Sequence, residues 1–295
     1  MNEVQPTEQI TIIYQDADIL AVNKPAGVIV NRATTVQGRT LQDWLEENVP
    51  EIRVIVEEGK YPDGWMSQVP DEFSEEFGSP QKIFLERSGI AHRIDKNTSG
   101  VVLVAKHPGS LLALLKQFKL REVQKQYVCL THGKFGMTGG EVLAPIGRRS
   151  KNRMLFGVVE GGRPAHTEYK VAQHFPSFDE KRLITEVAQQ TGKTEKEVKK
   201  ELHLVTYSGG FSLVNCKPKT GRTHQIRVHM AYIAHPIVGD SFYTGKKRQV
   251  LDVLWCNRHF LHATQVEFQH PRTKEKMLIE AELSQDLQKA LDYLS

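Results

Sequence analysis

The 295-residue sequence predicts an α+β fold. Segments rich in β-branched and aromatic residues alternate with segments whose apolar residues recur at helical spacing. Their order lacks the regular strand, helix, strand rhythm of a doubly wound sheet. Residues 10 to 30 hold two β-rich apolar segments around the turn formers Asp16 and Asp18, then a break at Lys24, Pro25 and Gly27. Residues 40 to 49 predict a short amphipathic helix, with Leu41, Trp44, Leu45 and Val49 apolar, Thr40 as N-cap and Asp43 in the first turn. Residues 50 to 82 are acidic, carry Pro50, Pro62, Pro70 and Pro80 and show no period, so they read as a long loop or insertion. A buried strand is expected over 101 to 105. A helix follows over 108 to 119, with Leu111, Leu112, Leu114, Leu115 and Phe118 on its apolar side and Pro108 in its first turn. Residues 125 to 133 are strand-like. The charged segment 180 to 203 reads as an added helical pair with a stop near Gly192 and a restart at Thr194. The chain then returns to a strand from Phe211, a helix with Ile226, Met230 and Ile233 on one face, a strand from Phe260 and a closing helix near the end. No internal repeat or low-complexity tract interrupts this order.

Hydrophobic residues make up 39% and charged residues 25%, which fits a globular chain able to bury a sizeable core. No apolar run approaches the roughly 20 residues needed to cross a bilayer. The opening MNEVQPTEQI lacks the regions of a signal peptide, so a cytoplasmic location is expected. Three widely spaced cysteines, Cys129, Cys216 and Cys256, predict reduced thiols. The net charge of +4 is modest, but its distribution is not. Residues 217 to 248 carry seven Lys or Arg against the single acid Asp240, and residues 148 to 153 and 116 to 125 carry four each. Residues 51 to 86, by contrast, hold nine acids against three basic residues. One basic run is commonly a solvated face; three of them favour a polyanionic partner.

Two motifs are set aside. TGKT at 191 to 194 lacks the first glycine of a phosphate loop, because position 187 is Val187, and no buried strand leads into it. Cys256, His259 and His262 lie close together but do not form a recognised four-ligand spacing, so no metal is assigned. HRIDKNTSG, residues 92 to 100, is the third motif. It lies between strand-like segments and ends in small, turn-forming residues. On its own chemistry Asp95 is open to three readings: a cap for the loop's own N–H groups, half of an ion pair, or a catalytic carboxylate.

Its companions narrow the choice. AVNKPAGVIV (21 to 30), GIAHRIDKNTSGVVLVAKH (89 to 107), KQYVCLTHG (125 to 133), GGRPAHTEYKV (161 to 171), KTGRTHQIRVHMAYIAHPIVGDSFY (219 to 243) and FLHATQVEFQHP (260 to 271) together resemble the RluA-type RNA pseudouridine synthases. The resemblance implies one catalytic domain over 1 to 295 with the pseudouridine synthase fold: a mixed, mostly antiparallel central sheet, flanking helices and a basic cleft. It implies cofactor-free isomerisation of uridine in tRNA or rRNA, with RNA as the partner; a monomer is the default expectation, and the lack of a long apolar run predicts no membrane partner. The essential aspartate carries onto Asp95, which would attack the sugar C1′ or the uracil ring, or take a proton from C2′. Arg227 would supply the counter-charge that keeps a buried carboxylate ionised. Tyr127 would stack on the uracil. His92, Arg93, Lys217, Lys219, Arg222, His224, Lys246 and Lys247 are the candidate RNA contacts, and Leu261 the apolar residue beneath the base. Ile94 stands where leucine is usual and Asn97 where aspartate is commoner. No S4 domain fits before residue 10, and the segments at about 50 to 86 and 175 to 204 are insertions. The competing expectation is an RNA-binding or chaperone protein on the same fold without catalysis.

Overall fold

The computed structural model describes residues 9 to 295 except 35, 37, 75, 77, 151, 154 and 203 to 208. The strands are β1 (Thr11–Gln15), β2 (Ile19–Lys24), β3 (Ser99–Ala105), β4 (Gln124–His132), β5 (Gly139–Leu143), β6 (Ile146–Arg148), β7 (Phe156–Val158), β8 (His166–Phe175), β9 (Phe211–Pro218), β10 (Leu261–Gln269) and β11 (Lys276–Glu280). The α-helices are α1 (Leu41–Asn48), α2 (Pro50–Glu58), α3 (Pro80–Arg87), α4 (Pro108–Leu120), α5 (Glu180–Thr191), α6 (Glu195–Leu202), α7 (Gln225–Tyr232), α8 (Lys246–Asp252) and α9 (Gln285–Leu291), with a 3₁₀ turn at Trp65–Gln68. Two compact units result, one of residues 1 to 125 and 263 to 282, the other of residues 126 to 262 and 283 to 295.

In the first unit the strand order runs β1, β2, β3, β10, with β11 on β10. β1/β2, β2/β3 and β10/β11 are antiparallel. β3 is buried along its whole length and β2 over its first four residues, so both read as continuous apolar runs. Leu41 and Leu45 of α1, Ile52 and Ile55 of α2, Phe84 of α3 and Leu111 and Leu114 of α4 complete this core. The expected cap of α1 is present as a reciprocal Thr40 and Asp43 capping box. The expected loop over 50 to 82 is corrected in two places. Pro50 and Pro80 each occupy a first helical position, where a missing N–H costs nothing, and they start α2 and α3.

In the second unit the order is β4, β9, β8, β5, with β4/β9, β9/β8 and β8/β5 antiparallel. β6 and β7 form a separate hairpin. The charged segment forms α5 and α6, with Gly192 as a left-handed C-cap and Thr194 bonded to Glu197 at the restart. Arg258, fully buried, ties α9 to this unit through Asp286 and Ser284.

Candidate active site

Asp95 belongs to the first unit, on the segment that leads into β3. Arg93 is exposed, Ile94 is buried, and His92 and Asp95 lie between these limits. His92 anchors the start of this segment: its Nε2 accepts the Leu103 N–H at 3.0 Å, and its ring packs 5.0 Å from that of Phe118. Burial, with Lys125 nearby, pushes the imidazole down to about 3, so the ring is neutral at physiological pH. The ring thus anchors the backbone that leads to Asp95. The turn after Asp95 closes through Thr98 N–H to the Asp95 carbonyl, at 3.1 Å.

Lys24, at the break that ends β2 and within the AVNKPAGVIV segment, holds the far side of this turn. Its side chain is fully buried, and its Nζ donates to the carbonyls of Pro25 (2.7 Å), Val28 (2.9 Å) and Lys96 (3.1 Å). Gly27 N–H adds a second bond to the Lys96 carbonyl, at 2.9 Å. An ammonium placed in the interior needs such oxygens in place of water. Gly100 is required where the turn enters β3: its φ is +115°, and a Cβ there would lie 2.2 Å from the Ala263 carbonyl oxygen.

Tyr127, Arg227 and Leu261 belong to the second unit. Tyr127 is buried on β4, opposite Cys216 of β9, and Leu261 is buried at the start of β10. Arg227 is the third residue of α7 and only 3% exposed. Asp240, fully buried, faces it across a fork: Arg227 Nε donates to Oδ2 at 2.7 Å and Nη2 to Oδ1 at 2.9 Å. The same carboxylate accepts the N–H of Phe242 at 2.9 Å and of Tyr243 at 3.3 Å. These two residues bring their rings to within 5.4 and 5.2 Å of the guanidinium. One short segment thus supplies both the carboxylate and the aromatic faces that fix Arg227. The sequence signal for it was Asp240 as the lone acid in a basic run.

At the turn before α7, His224 takes the N-cap position at φ +56° without a side-chain capping bond. Gln225 does the tying instead, its Oε1 accepting from Thr220 Oγ1 at 2.7 Å and Arg222 N–H at 3.0 Å. His224 Nδ1 lies 2.9 Å from the Tyr243 hydroxyl, beside the aromatic group on Arg227. Lys217, Lys246 and Lys247 are exposed, and Lys219 pairs with Glu168 at 2.9 Å.

Cys256 donates its thiol to the Arg258 carbonyl, and burial pushes its pKa up. Among the described residues, potential metal ligands converge at Asp16, Asp18 and His270. There Asp18 already accepts a two-nitrogen fork from Arg272 and bonds from Gln68 and His107, which accounts for its charge.

The model of the family described as RNA pseudouridylate synthase matches residues 18 to 232. A Vibrio parahaemolyticus protein named ribosomal large subunit pseudouridine synthase D is 31% identical, over 94% of this chain and 68% of its own length. The Bacillus subtilis protein named uncharacterized RNA pseudouridine synthase YlyB is 32% identical, over 97% and 73%. In fold, the structure resembles human RNA pseudouridylate synthase domain containing 1, with a TM-score of 0.61 over 95% of this chain and 86% of that one at 23% identity. Human RNA pseudouridylate synthase domain containing 4 gives 0.57 over 96% and 93% at 19% identity. The HRIDKNTSG loop that carries Asp95 and the THQIR turn that carries Arg227 both fall within the matched residues, and the chain belongs to the RNA pseudouridylate synthase family, whose members are isomerases that act on uridine in RNA.

Proposed function

We propose that Asp95 is the catalytic carboxylate of this RNA pseudouridine synthase, with Arg227 as its counter-charge and Tyr127 as the ring that stacks on the uracil. The observation that carries this reading is the Lys24 clamp. A buried ammonium bonded to the Lys96 carbonyl fixes the backbone one residue beyond Asp95, and such precision is what a reacting group needs rather than a surface cap. The family match takes in parts of both units, which supports a single catalytic domain over 1 to 295. Arg93, Lys217, Lys219, Arg222, His224, Lys246 and Lys247 are proposed to contact the RNA, and Leu261 to pack beneath the base. Flipping of the target uridine would accompany binding, because its C1′ and C5 are not accessible in a stacked helix.

Large-subunit ribosomal RNA is the favoured substrate, on the names carried by the Vibrio and similar relatives. Among the described residues no helix is long and apolar enough to cross a membrane; we place the enzyme in the cytoplasm as a monomer. The test is release of tritium from large-subunit ribosomal RNA transcribed with 5-³H-uridine, with a parallel arm on bulk transfer RNA. The wild-type chain releases tritium and Asp95→Ala does not. Undiminished release from Asp95→Ala refutes the assignment of the carboxylate.

A further inference from the structure

Beside the turn that leads into α7, the second unit holds a cavity of about 430 Å³, within the range of roughly 300–1,000 Å³ typical of ligand sites. Its wall contains a pattern that the sequence hides. Three Gly-Arg dipeptides from separate segments meet there: Gly147-Arg148 at the end of β6, Gly162-Arg163 before β8, and Gly221-Arg222 before α7. Phe156 of β7 and Thr223 are also in the wall, and among the described residues no carboxylate lines it.

Each dipeptide is held by the fold. Ile146 and Arg163 exchange both backbone hydrogen bonds at 2.9 Å, and a Cβ on Gly162 would lie 2.8 Å from the Ile146 carbonyl carbon. Arg222 Nε donates to the Pro164 carbonyl at 3.0 Å, tying the third segment to the second. The Arg148 guanidinium lies 5.1 Å from the Phe156 ring centroid. A small apolar cluster of Ile146, Ala165 and Val228, with Phe156 and Tyr243 against it, seats the hairpin on α7. Among the described residues, no hydrogen bond or ion pair engages the Arg163 guanidinium, and Arg148 and Arg163 are exposed. Arg148 Nη1 also donates to the Arg153 carbonyl at 2.5 Å, and the bonded Arg148 and Arg222 both keep their full charge, so three cationic residues in one wall favour an anion. Gly147 and Gly162 let the two segments approach closely, since a Cβ on Gly147 would lie 2.7 Å from Val159 Cγ2.

We propose that this triple Gly-Arg cavity seats a phosphate of the RNA strand, as an anchor separate from Asp95. This rests on the reading that the chain acts on RNA. Phosphate is the anion that the planar guanidinium fork grips best, and a strand held here is positioned without being read for sequence.

The experiment uses the full chain and a fluorescein-labelled oligouridylate, with Kd measured across a series of KCl concentrations. Arg148→Gln/Arg163→Gln is compared with Lys196→Gln/Lys199→Gln, which removes the same charge from exposed positions of α6. Loss of two phosphate contacts flattens the slope of log Kd against log salt by roughly 1.4, at about 0.7 per contact on a single strand, and weakens binding about tenfold or more. The α6 variant keeps the wild-type slope. Equal slopes for wild type and the arginine variant, or the same change in both variants, overturn the proposal. So does binding of free uridine 5′-monophosphate that depends on Arg148 and Arg163 while the oligonucleotide slope stays unchanged; the cavity would then be a mononucleotide site. In tritium release, the arginine variant raises KM more than it lowers kcat. The salt slope decides the anchor even if the wild-type chain releases no tritium, so the two readings fail separately.

Discussion

Removing Asp240 tests how Arg227 is held. The pair is desolvated on both sides, with Asp240 fully buried and Arg227 3% exposed, and the carboxylate also serves two backbone N–H groups. In Asp240→Asn one oxygen remains to accept, but an amide NH₂ replaces the other and faces guanidinium donors, leaving the buried cation without a counter-charge in this segment. Breaking such a pair from one side costs about 3–5 kcal/mol, where an exposed pair is worth 1 kcal/mol or less. At roughly 2 °C per kcal/mol for a chain of this size, thermal unfolding should shift down by about 6–10 °C. Arg227→Met/Asp240→Leu removes both charges in shapes that fill the space. It should be more stable than either single variant, because no uncompensated buried charge remains. The assays are thermal unfolding by circular dichroism and tritium release. Stability returns in the double variant and activity does not, which separates the structural use of Arg227 from its proposed catalytic one. A cost below about 1 kcal/mol for Asp240→Asn would refute the desolvated fork, and full activity in the double variant would refute Arg227 as the counter-charge.

Lys24→Met should lower kcat for tritium release more than it raises KM, since the loop carrying Asp95 loses its internal donor while the surface that meets RNA is unchanged; an unaltered kcat would discount the clamp. Gly100→Ala should cost several kcal/mol or abolish folding, because φ at +115° and the Ala263 carbonyl both exclude a Cβ; soluble expression with a wild-type melting temperature would contradict this. The His92 imidazole, held down at about 3 by burial, is neutral in the folded chain where the unfolded chain binds a proton. Its contribution is present above the unfolded value near 6.5 and is lost as pH falls toward 3, at up to about 1.4 kcal/mol per pH unit. Chemical denaturation of wild type and His92→Gln between these limits should show a shallower pH dependence in the variant. Parallel curves would place the acid sensitivity elsewhere.

The elements that the sequence made legible are those whose burial is strongly one-sided. β2 and β3 read as apolar runs because both are buried, and α1 announced itself through Thr40 and Asp43. β8 escaped notice because most of HTEYKVAQHF is polar and only Thr167 and Phe175 are buried, while β5 is a five-residue strand at the end of its sheet path. α2 is masked in the sequence by Pro50, which marks a helix start as well as a break, although Ile52 and Ile55 form its buried face. At the site, HRIDKNTSG drew attention to Asp95, but the side chains that hold its surroundings lie where local spacing has no power. Lys24 reaches Lys96 over 72 positions, and Asp240 meets Arg227 only because the chain turns back after α7. Asp240 still left a trace, as the one acid among the basic residues from 217 to 248. Had that run been only an electrostatic surface for RNA, a carboxylate within it would have weakened binding. Such a residue is better spent inside, against a cation that must not move, and its burial at full occlusion is what separates a positioned arginine from the exposed basic residues around it.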